Sequence, residues 1–214
     1  MAAVSAAVLY AVAILMLLGL RSWQQYRATG TVGFNGFRSK AMAARVAGTG
    51  FVVALVAGVL SPVLVWGHVL PTLGSDSRWA PALAGGGAVL ALAGILMAFA
   101  AQATMGTSWR IGVDTSESTD LVTHGLFAVI RKPIFTALLT IQFGTTLMVP
   151  TWVGALGVVT LLLASQVQVR LVEEPYLLAM HRLDYLGYAN RTGRFAPLLG
   201  RLQPAEHGTS RSLP

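Results

Sequence analysis

Polar and apolar positions along this chain fall into blocks rather than stripes. Charged residues are absent from 1–20, 46–75, 79–109 and 133–169 and gather between and after those stretches. A helix needs about 20 apolar residues to cross a hydrocarbon core of about 30 Å, and each stretch is long enough. Buried soluble helices rarely run so far without a charge, so the pattern predicts membrane spans. The last stretch, as one helix rising about 1.5 Å per residue, would far exceed the thickness of the core. It must fold back, and "MVPTW" at 148–152 supplies the break: Pro150 cannot continue a helix, and Trp152 suits the membrane interface. Segments 133–149 and 151–169 then form a tight hairpin. The expected fold is an all-α integral membrane protein of five transmembrane helices, with Pro62 kinking the second.

Composition agrees with the pattern. Of 214 residues, 55% are hydrophobic and 11% charged, and the mean hydropathy is +0.66. There is no cysteine, which excludes disulfides and thiolate ligands. The histidines, His68, His124, His181 and His207, lack ligand spacing, so no metal site is expected. The first apolar stretch has no basic residues ahead of it and is too long for a signal peptide, so it reads as a retained helix.

Charge placement orients the spans. Arg21, Arg27, Arg38, Lys40 and Arg45 lie between the first and second helices, whereas the next loop carries only Arg78. Counting through the hairpin puts fourteen of the fifteen basic residues on one side. By the positive-inside rule that side is cytoplasmic, with the N-terminus outside and the C-terminus inside. The net charge of +7 is then explained by topology and anionic headgroups, without a nucleic-acid partner. The hydrophilic mass, where chemistry would occur, is also cytoplasmic. Tyr176, Ala179, Met180, Leu183 and Leu186 share one face of a continuous helix starting at Pro175, which predicts an amphipathic helix on the membrane surface. Three regions follow: 1–103 with the first three helices and the basic loop, 104–200 with a binding loop, hairpin and C-terminal helix, and 201–214 as a flexible tail.

Small residues mark packing faces. "AGGGAVLALAG" at 84–94 lies inside the third helix and precedes no strand, so close helix contact explains it better than a nucleotide-binding loop. Gly50, Ala54 and Gly58, spaced by four, form a similar face in the second.

Arg131 and Lys132 sit at the entrance of the hairpin, and Glu173 and Glu174 at its exit. Packed helices lie about 10 Å apart, so the four charges meet at one membrane face. The plainest reading is that the cations anchor topology and the acids pair with them. Two adjacent anions at a helix C-terminus, however, are disfavoured by the macrodipole and call for cations. A ligand carrying an ammonium and a carboxylate would engage both ends.

"LVTHGLFAVIRKPIF", the hairpin, and "EEPYLLAMHRLDYLGYANRTGRFAP" together resemble the C-terminal half of the isoprenylcysteine carboxyl methyltransferase and phospholipid methyltransferase group of integral membrane enzymes. Gly125, Phe127, Arg131, Pro133, Phe135, Glu173, Glu174, Leu177, Tyr185, Tyr188, Arg191, Arg194 and Pro197 carry the resemblance, which covers roughly 105–197. Lys132 stands where that group has His or Asn, and Phe135 where Tyr is commoner, so an imidazole or phenol role is lost there. The resemblance implies methyl transfer from S-adenosylmethionine to a lipophilic small-molecule or lipid acceptor in the bilayer. It implies a multi-pass protein of a bacterial plasma membrane. It also implies cofactor contacts from Val122, His124, Gly125, Leu126, Arg131, Lys132, Pro133, Phe135, Glu173 and Glu174, of which Arg131, Glu173 and Glu174 are the catalytic candidates. Trp109, Arg110, Tyr185 and Tyr188 are candidates for lining the acceptor's path, although Trp and Arg at an interface are commonly anchors.

Transfer from a sulfonium dissipates charge and chiefly needs alignment and exclusion of water. A carboxylate acceptor requires no base; an amine or hydroxyl can lose its proton to Glu173 or Glu174. Two other readings fit parts of the pattern. One is an NADPH-dependent membrane reductase of the sterol reductase type, which shares an R-x-P-x-[YF] element but calls for more phosphate-binding cations. The other is a non-enzymatic scaffold or transporter subunit, against which the uncharged interiors of the first three helices speak.

Overall fold

The computed structural model describes residues 1–20, 22–23, 26–27, 30, 41–105 and 121–202. These are helical or loop, with no strand among the described residues. Helix α1 (Ala2–Ile14) continues into a π-helical turn, Leu15–Leu20. Then come α2 (Met42–Trp66), α3 (Ala80–Met105), α4 (Pro133–Met148) and α5 (Trp152–Gln168). A second π-helical turn, Val169–Glu173, leads into α6 (Glu174–Arg191). Among the described residues, four helical segments are long and apolar enough to cross a membrane: Ala2–Gly19, Met42–Trp66, Ala80–Met105 and Trp152–Arg191. The protein is a multi-pass membrane protein in build, and Val52, Val53, Val56, Leu92, Leu96 and Leu163 point outward where lipid would cover them.

Glycines set how closely the helices approach. On α3, Gly87, Ala91 and Gly94 lie against Ala137, Ile141, Gly144 and Met148 of α4. A Cβ on Gly144 would stand 2.6 Å from Ala91 N and from Gly87 O, so the backbones touch as small-residue interfaces in membranes allow. The cluster at 84–94 is thus a helix-packing face. The Gly50, Ala54, Gly58 row faces two neighbours: Gly50 meets Ala164 of α5, and Gly58 meets the Tyr10 ring of α1.

Without a hydrophobic force between helices in lipid, buried polar groups help to fix register. Tyr10 OH donates to Gln142 Oε1 at 2.9 Å, and Gln142 Nε2 donates to Ala54 O at 2.9 Å, so one fully buried glutamine links α1, α2 and α4. Ser61 and Thr151 share a hydroxyl bond of 2.7 Å, and Leu73 N donates to Pro150 O at 2.7 Å. Pro150 stops α4, while Thr151 caps α5 by accepting from Gly154 N at 2.9 Å. Gly154 lies beside Thr146, and Gly157 beside Gln142, so α4 and α5 run antiparallel.

One expectation fails. The helix after Glu173 is not a single amphipathic cylinder, because Arg182 adopts φ 40 and ψ −112 and breaks it. Leu183, Ala179 and Met180 are exposed, whereas Tyr176 and Leu186 are half-buried. The break changes the helical phase beyond residue 182, turning Tyr185 and Tyr188 into the protein and dividing the face drawn on a continuous wheel.

Candidate functional site

Pro133 opens α4, and the residue before a proline is kept out of the helical region; Lys132 accordingly has φ −125 and ψ 57. The preceding backbone is therefore available for pairing. Arg131 N donates to Gly193 O at 2.8 Å and Lys132 N to Arg194 O at 3.0 Å, tying the α4 entrance to the segment that follows α6. Gly193 lets the chain turn back tightly just beyond this pairing, since a Cβ there would fall 2.7 Å from Leu198 N. One turn further on, Thr136 Oγ1 donates to Phe195 O at 2.7 Å. The Phe135 ring lies between Phe51, with centroids 5.6 Å apart, and Phe195, at 6.5 Å edge-on.

Inside this junction the Arg131 side chain is fully enclosed. Its Nη1 donates to Ala189 O at 2.7 Å and Thr192 O at 2.5 Å, and its Nη2 to Glu174 Oε1 at 2.8 Å and Gly200 O at 3.0 Å. Glu174, also buried, receives a second cation: Arg194 Nε reaches Oε1 and Nη2 reaches Oε2, both at 2.8 Å. The carboxylate is thus held by three charge-assisted bonds between two guanidinium groups. Lys132 Nζ and Glu173 Oε2 make a separate pair at 2.5 Å, with side chains 12% and 17% exposed. The adjacent acids face different partners, at the point where the π-helical turn Val169–Glu173 inserts an extra residue into the helix.

The four charges singled out in the sequence therefore meet, and the acids do pair with the cations. Arg131 and Glu174 are committed to partners within the chain, whereas Lys132 and Glu173 remain reachable. Of the loop ahead of α4, His124 and Gly125 are exposed, Val122 and Leu126 half-buried, and Phe127 buried. Gly125 holds φ +60 and lies against Thr104 near the end of α3. Pro133 is buried and Phe135 half-buried. Tyr185 and Tyr188 are buried and pack edge-on at 6.2 Å, within a cluster that includes Ala189. Tyr188 OH donates to Phe127 O at 2.6 Å, so these rings brace the loop from beneath. Trp109 and Arg110 lie outside the described residues. Arg194 was not expected in the site; its signal was "NRTGRFAP", a cation one residue beyond a glycine that a tight turn requires. Among the described residues, no group of three or more His, Asp or Glu side chains could hold a metal ion.

Residues 83–182 match the family model for phospholipid methyltransferases. Residues 83–182 thus carry a phospholipid methyltransferase domain. The phospholipid methyltransferase domain begins near the start of α3, includes all four charges at 131, 132, 173 and 174, and stops at the α6 break. Arg194, which completes the grip on Glu174, lies beyond it. No curated protein matches the chain.

Proposed function

We propose that the protein transfers a methyl group from S-adenosylmethionine to a lipophilic acceptor held in the bilayer, at the cytoplasmic face. The observation that carries this reading is the match over 83–182, which takes in both carboxylates and both cations. The family implies a methyltransferase; the apolar helices around the site favour a lipid or lipophilic acceptor.

In this reading α1 to α5 are five spans, α4 and α5 form a membrane hairpin, the N-terminus is outside, and the charged junction is cytoplasmic. Region 1–103 is the membrane scaffold and 104–200 the catalytic part. The residues fit the cofactor in kind. Glu173 offers a carboxylate to an ammonium or to ribose hydroxyls, Lys132 offers a cation to a carboxylate, and both are partly exposed. Leu126, Val122 and Phe135 supply apolar surface for a base, beside the exposed His124. Bound there, S-adenosylmethionine would supply a methyl group activated by a sulfonium.

The chain's own work is binding, orientation and exclusion of water. Arg131 and Glu174 act through position: their mutual bonds, with Arg194, hold Lys132 and Glu173 at the α4 entrance. Glu173, the more accessible acid, can accept the proton of an amine or hydroxyl acceptor. A carboxylate acceptor would need no such step.

The test uses purified protein in proteoliposomes made with bacterial lipid extract and S-adenosylmethionine labelled in its methyl group. Label should enter the organic-soluble fraction only when protein is present. Binding of NADPH without binding of S-adenosylmethionine would overturn the reading in favour of a reductase.

A further inference from the structure

Apolar side chains are exposed along the spanning helices, as lipid requires, but another group lies beyond them. Pro197, Leu198 and Leu199 form the tip of the turn after Arg194, and the two leucines are 66% and 68% exposed. Leu198 has φ +67, a left-handed backbone that a leucine holds only under constraint from its surroundings. That constraint is visible: Arg194 N donates to Leu199 O at 2.7 Å, and Leu199 N to Ala196 O at 3.2 Å. In water, nothing would be gained by constraining a turn to display two leucines.

The height of the turn relative to α4 answers what covers it. Phe195 O is bonded to Thr136, in the first turn of α4, and the Phe195 ring meets Phe135. Helix α4 has 16 residues, about 24 Å at the helical rise, against a hydrocarbon core of about 30 Å. A helix that short cannot begin at headgroup level and still reach the opposite side. Its far end is bonded to Leu73 in the loop after α2 and its entrance meets Phe51, well inside α2, so the entrance and the turn fastened to it lie deeper than the start of α2 at Met42.

We propose that the 195–199 turn is an interfacial anchor in which Pro197, Leu198 and Leu199 enter the acyl-chain boundary of the leaflet around the α4 entrance. The exposed cations Arg191 and Arg201 flank it and suit anionic headgroups. Thr136 and Phe135 fasten the turn to the first turn of α4, which makes the bilayer around that helix its occupant. Because the same turn carries Arg194 and Gly200, both bonded into the charged junction, the anchor sets the depth of Lys132 and Glu173 at the edge of the leaflet. The proposal rests on α4 entering the bilayer and does not depend on methyl transfer.

The chain has no cysteine, so single probes are clean. Leu198→Cys and Leu199→Cys, with Asp184→Cys as an exposed polar reference, are each labelled with bimane in phosphatidylcholine and phosphatidylglycerol vesicles. Nitroxides high on the acyl chains should quench the labels at 198 and 199 several-fold more than the label at 184, and aqueous iodide should show the reverse order. Equal iodide quenching at all three sites, with none by the lipid nitroxides, would place the turn in water and overturn the proposal. Labels at 198 and 199 shielded from both quenchers, and exposed to iodide when the protein is diluted in lipid, would make a second copy the occupant and overturn it equally.

Discussion

Arg194 grips Glu174 through two near-parallel bonds of 2.8 Å while Arg131 takes the same carboxylate from another direction. The cluster carries a net positive charge in a buried place, and each member leaves an unpaired partner if removed. Breaking a buried ion pair from one side costs about 3–5 kcal/mol. Arg194→Ala and Glu174→Gln should each lower stability by that order. The double variant should lose less than the sum, since neither leaves the other's charge stranded. Thermal unfolding in detergent measures all three; additive losses would mean that the pair is not coupled.

Lys132 and Glu173 predict a different pattern because their pair is partly open. Glu173→Gln should weaken S-adenosylmethionine binding by about 1.5–3 kcal/mol, the worth of a lost hydrogen bond to a charged group. Lys132→His keeps a donor and should retain substantial affinity, whereas Lys132→Glu sets an anion beside Glu173 and should weaken it strongly. Calorimetry at low salt separates the cases, and unchanged affinity in both Glu variants would remove this pair from the cofactor site.

The α3–α4 interface predicts sensitivity far from the charges. Gly144→Val pushes a branched side chain into Ala91 N and Gly87 O. Overpacking of this kind costs about 1–3 kcal/mol, and here backbone rather than a flexible side chain must yield. Gly85→Val, at a position with open space around it, is the matched control and should be near neutral in a melting experiment.

The five-span orientation predicts labelling from opposite sides. Ser75→Cys should react with an impermeant thiol reagent from outside, and Thr115→Cys and Gly208→Cys only after the membrane is opened. Finding positions 75 and 115 on the same side would sink the five-span count.

Much of the helical plan was legible because lipid imposes it. The uncharged stretch 46–75 holds all but the first turn of α2, 133–169 contains α4 and α5, and Pro150 marks the break between the last two. The meeting of 131–132 with 173–174 was legible from the same topology. Two features were not. The α6 break falls at Arg182 within "AMHRLDYLG", where no proline or glycine occupies the break itself, so only the burial of Tyr185 and Tyr188 reveals it. The place of Arg194 depends on backbone bonds from Arg131 and Lys132 to Gly193 and Arg194, across some sixty positions of chain, which local pattern does not encode.

The acceptors of Arg131 all lie downstream, at Glu174, Ala189, Thr192 and Gly200. During synthesis the guanidinium leaves the ribosome before any of them. On the five-span reading it waits as a solvated cation, which also holds the entrance of α4 on its own side of the bilayer while α5 inserts. Only the final segment replaces that water with carbonyls and a carboxylate. On that reading the order of translation gives one residue two successive duties, first in insertion and then in closing the junction.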